Sequence, residues 1–370
     1  MIRPQHLLPL LLAAAMPLAV TPAHAEEAAA APEVKGDAVA EAYAALLARD
    51  YVYPETGQRY AEAIRAAIKA GRYAALTGDA LGTAIDADVH AVSPDGHLRL
   101  RAPEGAAAAP APGGAPPMRR APRVPVEQAG WIAPGIAFVR FNVFPMDGEV
   151  TAAAAKFMAD HADAKAIIFD IRTHGGGGLD QMDVIFPWLF AEPTRLVTMA
   201  TRASVDAQGG SPIDGIASMR KVAGDPGMVA REHWATPNAD TRLRDAKIYV
   251  LTSGGTASAA EHFSLAMKHT GRGTLVGDPT AGANHFGRGE ELGGGYSAFI
   301  PVGRTYDPKT GKDWESVGVL PDIAVPPAQA LERVLTDLGI DAAEAKRLSD
   351  AHMPTAPMER RKPRGAKPAG

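Results

Sequence analysis

Lys247–Gly287 reads KIYVLTSGGTASAAEHFSLAMKHTGRGTLVGDPTAGANHFG. An apolar strand, Ile248 to Leu251, runs through Thr252-Ser253-Gly254-Gly255-Thr256 into a small-residue helix start, Ala257-Ser258-Ala259-Ala260-Glu261. Phe263, Ala266 and Met267 then share one helix face, because positions three and four apart lie above one another. A second apolar run, Thr274 to Val276, ends in Gly277-Asp278-Pro279. Strand, glycine turn and helix together lift a side chain out of a fold and aim main-chain N–H groups at the same point. Ser258 falls in the first turn, where unpaired donors are available to an oxyanion. A helix cap is the plainer use of a serine or threonine there.

Upstream, Ala166–Ile171 is nearly all apolar, as in a parallel strand covered on both faces. It runs directly into Gly175-Gly176-Gly177-Gly178. Glycines let a backbone approach closely and turn its N–H groups toward an anion. Neither G-x-x-x-x-G-K-[ST] nor G-x-G-x-x-G is present, so nucleotide binding is not expected. An oxyanion pocket shared with Ala259 N–H fits better, since both loops follow central strands and can meet at one sheet edge. Strands alternating with helices imply an α/β domain with right-handed crossovers.

The 370 residues contain no cysteine, which excludes disulfides, thiol catalysis and thiolate metal sites. A formal charge of -4 gives no electrostatic reason to expect nucleic acid. No H-E-x-x-H and no tight His/Asp grouping of metal spacing occurs, so neither metal nor cofactor is expected. Residues 1–25 read as a secretory signal, with an apolar run from Leu7 to Val20 and Ala23-His24-Ala25 at the cut. The expectation is an exported protein, periplasmic or secreted, with no membrane segment after cleavage. Residues 34–92 read as a small helical domain, and 93–129 as a turn and strand followed by a flexible Ala/Pro-rich insertion. Residues 130–345 form the main domain, within which Ser204 to Asp245 reads as a polar, irregular lid or surface excursion. A disordered basic tail spans 346–370.

A nucleophilic serine needs a base, and the base needs a group to orient it. Among 11 histidines, His97 has the best local setting, on the turn Ser93-Pro94-Asp95-Gly96-His97. His174, inside the glycine loop, and His285 can also approach. His262 and His269 lie along the helix after Ser258, and His90 is on an upstream helix. Glu315 and Asp322 are the carboxylates offered for the third role.

These pieces together resemble the tail-specific, or C-terminal-processing, serine peptidases, in the branch containing the tricorn protease core and the interphotoreceptor retinoid-binding protein. Four stretches carry the resemblance: Asp95-Gly96-His97-Leu98; Ile168 to Gly177; Thr256 to Glu261 with Val276 to Gly282; and Glu315 to Asp322. The resemblance implies a crotonase-like core of ββα units acting on a peptide or protein substrate. Ser258 would be the nucleophile, His97 the general base and Glu315 a supporting carboxylate. Gly175, Gly176 and Ala259 would form the oxyanion hole, with Asp170 and Arg172 shaping the loop.

Three departures stand out. The Ser–Lys branch carries lysine directly after the glycine that Gly282 resembles, and here that place is Ala283. No segment is long enough for a PDZ domain. His174 stands where the family commonly has asparagine. An esterase, or a noncatalytic binder of an apolar ligand or peptide, are the rival functions on the same fold. Oligomeric state is not readable from the sequence.

Overall fold

The computed structural model describes residues 35–103 and 123–359. The signal expected at 1–25 and most of the Ala/Pro-rich insertion lie outside the described residues. In order, the elements are α1 (Gly36–Asp50), α2 (Pro54–Lys69), α3 (Gly78–Val92), β1 (Leu100–Arg101), β2 (Val126–Ala133) and β3 (Ile136–Phe141). There follow α4 (Gly148–Asp160), β4 (Ala166–Asp170), α5 (Asp180–Ile185), β5 (Thr194–Arg202), α6 (Ala203–Ala207), β6 (Met219–Val222) and β7 (Met228–Ala235). The chain then forms β8 (Lys247–Thr252), α7 (Ala259–His269), β9 (Thr274–Gly277), β10 (Phe286–Gly293) and β11 (Tyr296–Tyr306). It closes with β12 (Ile323–Ala324), α8 (Ala330–Asp337) and α9 (Ala342–Ala351).

The first sheet runs β12-β9-β8-β4-β3-β2 and is parallel except for the β2–β3 hairpin. That hairpin turns at Pro134-Gly135, where Gly135 takes φ +75°, as a proline-led tight turn requires of its second central residue. Every residue of β3 and β4 is buried, and the alternation of strand side chains decides which layer each one joins. Ala137, Val139, Phe141, Ile167 and Phe169 pack with α4, α5 and α7 residues such as Phe157, Met182 and Phe263. Ile136, Phe138, Ala166 and Ile168 face α8 and α9 through Leu331, Val334, Leu335 and Leu348. This is a mixed α/β fold with helices on both faces of a mostly parallel sheet.

A second, antiparallel sheet runs β1-β11-β5-β7-β6, with β10 also paired to β11. Helices α1 to α3 pack on it through Tyr43, Leu47, Tyr60 and Ile85 against Tyr296, Ile300 and Val302.

Three boundaries differ from the sequence reading. Residues 204–245 contain α6, β6 and β7, and β7 is paired along its length with β5. The segment reads as polar because Arg231 is buried by ion pairs to Asp206 and Asp214, and His233 is buried beside Asp183. Strand β2 straddles the boundary set at 130. The tail set at 346 begins instead inside α9, capped by Asp341 through Ala343 N–H and Glu344 N–H. Leu348 then anchors that helix on the first sheet. No helix among the described residues is long and apolar enough to cross a membrane.

Candidate active site

β8 and β4 lie side by side in parallel register, so the loops leaving their C-terminal ends meet. Three hydrogen bonds stitch them: Ser253 Oγ to Arg172 O (2.5 Å), Thr256 Oγ1 to Ile171 O (2.8 Å) and Ala257 N to His174 O (2.9 Å). Beneath them the carboxylate of Asp170 accepts from Arg172 Nε and Nη2 and from Arg140 Nε at 2.8–2.9 Å, all fully buried. Burial pushes Asp170 up, but the Arg172 and Arg140 guanidiniums outweigh it and hold it below the ordinary carboxylate range. Arg172 also donates to Pro327 O (2.8 Å), which ties the glycine loop to the segment leading into α8.

Ser258 is one of three non-glycine residues at positive φ among those described, with φ 57° and ψ -117°. Such backbone costs of order 1–3 kcal/mol and persists only where its surroundings fix it. The fixing group is Glu261, fully buried, three residues on. Its Oε2 accepts from Ser258 N (2.8 Å) and Ala283 N (2.9 Å), and its Oε1 from Thr280 Oγ1 (2.6 Å) and Gly282 N (2.7 Å). Burial pushes Glu261 up to about 7, and these four donors pull against that rise. The S-x-x-E spacing of a capping box is a sequence signal that could have found this residue and that the sequence reading did not use.

The glycine loop faces Ser258 directly: a methyl on Gly176 would lie 2.9 Å from Ser258 Cβ. Its donors, however, are not arranged as the sequence suggests. Gly175 N–H is spent on Asn142 O (3.0 Å), and Gly176 N–H on His174 Nδ1 (3.1 Å). The histidine in the loop is the reason for the second bond, since its neutral ring offers a lone pair two residues back. Burial holds the His174 ring down at about 3, and its edge packs on Phe144. Ala259 N–H and Gly177 N–H find no acceptor among the described residues. Gly177 sits at φ +136°, bridged to Phe144, where an added Cβ would collide with the Phe144 carbonyl. Gly177→Ala is expected to cost about 1–3 kcal/mol of stability, read by urea denaturation; an unchanged midpoint would mean that the loop reshapes freely.

The turn carrying His97 lies against the same loops. A methyl on Gly96 would sit 3.3 Å from Ala283 Cβ, and Ala283 shares the Glu261 oxygen with Ser258. The His97 ring packs on Phe299, and its Nδ1 is buried without a hydrogen-bond partner. Burial drives its pKa down to about 4 against the pull of Asp95, with His285 adding to the fall. No hydrogen bond joins the His97 ring to Ser258 or to Glu315. Glu315 instead holds main chain, accepting from Asn284 N (2.6 Å) and Gly96 N (3.3 Å). Asp322 is elsewhere, paired with Lys268 and Leu275 N–H.

The residues that sequence reasoning did not join are Asp95 and His285, 190 positions apart. Asp95 Oδ2 accepts from His285 Nδ1 (2.7 Å) and Tyr51 Oη (2.8 Å), while Oδ1 accepts from His97 N (2.8 Å). Asp95, His285 and Glu315 each offer one atom to a group spanning 4.8 Å, a cluster that linear spacing could not reveal. Those carboxylate oxygens already accept N–H and O–H donors, and a 2.7 Å separation suits a shared proton better than an inserted ion. His262 turns into the core toward His233 (2.8 Å), His269 lies near Asp307 (3.5 Å), and His90 bonds the Asp86 and Asp95 carbonyls.

Residues 135–325 match Peptidase family S41. The chain is 28% identical over 211 residues, 56% of its length, to the chloroplastic C-terminal processing peptidase of Tetradesmus obliquus, and covers 39% of that protein. It thus spans less than half the length of the curated relatives it matches. Among solved structures, the photosystem II D1 C-terminal processing protease superposes with a TM-score of 0.53 at 19% identity, over 85% of this chain and all of that one. A protein from Parabacteroides merdae gives a TM-score of 0.56 at 16% identity, over 84% and 98%. By the stretch that holds both stitched loops, and by a fold shared with these structures, the chain belongs to Peptidase family S41.

Proposed function

We propose that this protein is an exported serine peptidase with a crotonase-like core and no PDZ domain, in which Ser258 attacks a peptide carbonyl and His97 takes its proton. The observation that carries the reading is the strained backbone of Ser258 at a strand-to-helix turn, held by Glu261 and faced by a glycine loop. The same elbow geometry presents nucleophiles in unrelated hydrolases. Negative charge on the tetrahedral intermediate would develop toward Ala259 N–H, joined by Gly177 N–H in place of Gly175 and Gly176. His97 then protonates the leaving amine, and water resolves the acyl-enzyme. Glu315 serves by fixing the turn on which His97 sits. The leader at 1–25 supports export.

The test is covalent labelling by a fluorophosphonate, with the adduct located by peptide mass spectrometry. Label on Ser258, slowed about 10²-fold or more by His97→Gln, supports the reading; a folded protein that takes no label at Ser258 overturns it. One observation favours the competing role of a noncatalytic binder, namely that Gly175 and Gly176 N–H are already spent. That role predicts no label. Comparing peptide with ester turnover separates a peptidase from an esterase.

The depressed pKa of His97 adds a pH signature. A base is competent only when neutral, and a ring titrating at about 4 stays neutral down to weakly acid pH. Labelling is therefore expected to hold its rate from neutrality to about pH 5, with an acid limb centred nearer 4 than the ordinary histidine value. A limb at ordinary histidine pH would show that His97 is not the group titrating.

A further inference from the structure

We infer that His285 is a positioning residue for the peptidase chemistry, acting through Asp95 to fix the turn that presents His97. The inference rests on the reading of Ser258 and His97 given above. Asp95 is the junction: one oxygen takes the main-chain N–H of His97, while the other takes His285 Nδ1 and Tyr51 Oη. His90 Nε2 meets the Asp95 carbonyl at 3.0 Å. The turn is thereby gripped from α3, from the end of α1 and from the segment before β10. Glu315 adds a second grip through Gly96 N–H and Asn284 N–H.

The ring of His285 is 4% exposed and packs edge-on against Tyr51 and Tyr53. The groups facing it are Asp95 and His97 on the turn, Tyr51 and Tyr53 between α1 and α2, and Asp313 and Glu315 after β11. Glu315 Oε2 lies 3.8 Å from its Nδ1. Burial disfavours the charged ring, but Asp95 and then Glu315 and Asp313 outweigh it, so the pKa is raised. The sign follows: the ring's charge is complete below the ordinary histidine value and is lost as pH rises through the raised one, while the neutral ring keeps Nδ1–H for Asp95. A base held by this grip loses alignment when the grip loosens, and a shift of about 1 Å in a reacting group can cost about 10² in rate.

The experiment measures fluorophosphonate labelling across pH for wild type, Ser258→Ala, His285→Leu and His285→Asn, resolving the maximal rate from the half-saturating concentration. His285→Leu removes the donor to Asp95 and is expected to slow the maximal rate about 10- to 100-fold with half-saturation unchanged. His285→Asn keeps an N–H near the Nδ1 position but cannot titrate. It is expected to return the rate to within about threefold. Leu at wild-type rate, or a folded Asn variant no faster than Leu, overturns the inference. If the leucine variant fails to melt cooperatively, the asparagine variant decides alone, and a folded protein labelling more than about tenfold slower than wild type overturns the inference. Label retained by Ser258→Ala would defeat the peptidase reading and this inference with it. A serine-dependent reaction indifferent to His285 would defeat this inference only.

Discussion

Ser258→Ala is expected to abolish peptide turnover, lowering it by about 10⁴-fold or more, while the protein folds and melts as wild type. The magnitude follows from chemistry, because without Oγ no acyl-enzyme forms and only binding and oxyanion stabilisation remain. Folding should survive because the elbow is held through the main chain. Glu261 accepts the Ser258 N–H, not its hydroxyl, and that bond is indifferent to the side chain. Alanine is also no worse than serine at holding positive φ, since both carry a Cβ. Turnover of a peptide library by purified variant, followed by mass spectrometry, checks the result. Activity within tenfold of wild type would remove Ser258 from the mechanism.

Asp170→Ala is expected to produce the largest loss of stability, about 3–5 kcal/mol. The carboxylate is the counter-charge for two guanidiniums, and Arg140, Arg172 and Asp170 are between 0% and 1% exposed. Removing it strands two buried cations, of which Arg140 keeps Glu127 at 2.9 Å while Arg172 keeps only main-chain carbonyl contact at Pro327. A buried pair contributes little net stability when intact but costs heavily when half is deleted. A urea midpoint shift at unchanged m-value measures the loss, and a change below about 1 kcal/mol would show that water reaches the guanidiniums. Since Arg172 main chain also receives Ser253 Oγ, labelling of Ser258 should slow in the same variant.

Much of the first sheet was legible because its strands carry their own signal. Ala166–Ile171 is apolar except for Asp170, and the structure buries it on both faces. The Ser258 turn was legible for a similar reason: an apolar strand followed by glycines and small residues specifies a local shape, although the part played by Glu261 went unread. Strand β7 was hidden because its buried positions hold Arg231 and His233, whose partners come from other elements. Hydropathy reads such positions as surface. That Gly176 N–H is engaged was not legible, because the competing lone pair belongs to a histidine two residues away whose ring orientation only the fold sets. Asp95 with His285 carried no linear signal, their pairing being set by how β11 brings distant loops together.

The Asp95 junction has a practical corollary for dissecting the molecule. Family membership is read from residues 135–325, yet Tyr51, Asp95 and His97 all precede that window. A fragment trimmed to the recognised region would retain the serine and glycine loops, with His285 and Glu315, while shedding His97, Asp95 and Tyr51. Deletion from the amino side should therefore extinguish catalysis in a single step, well before the parallel sheet itself is breached.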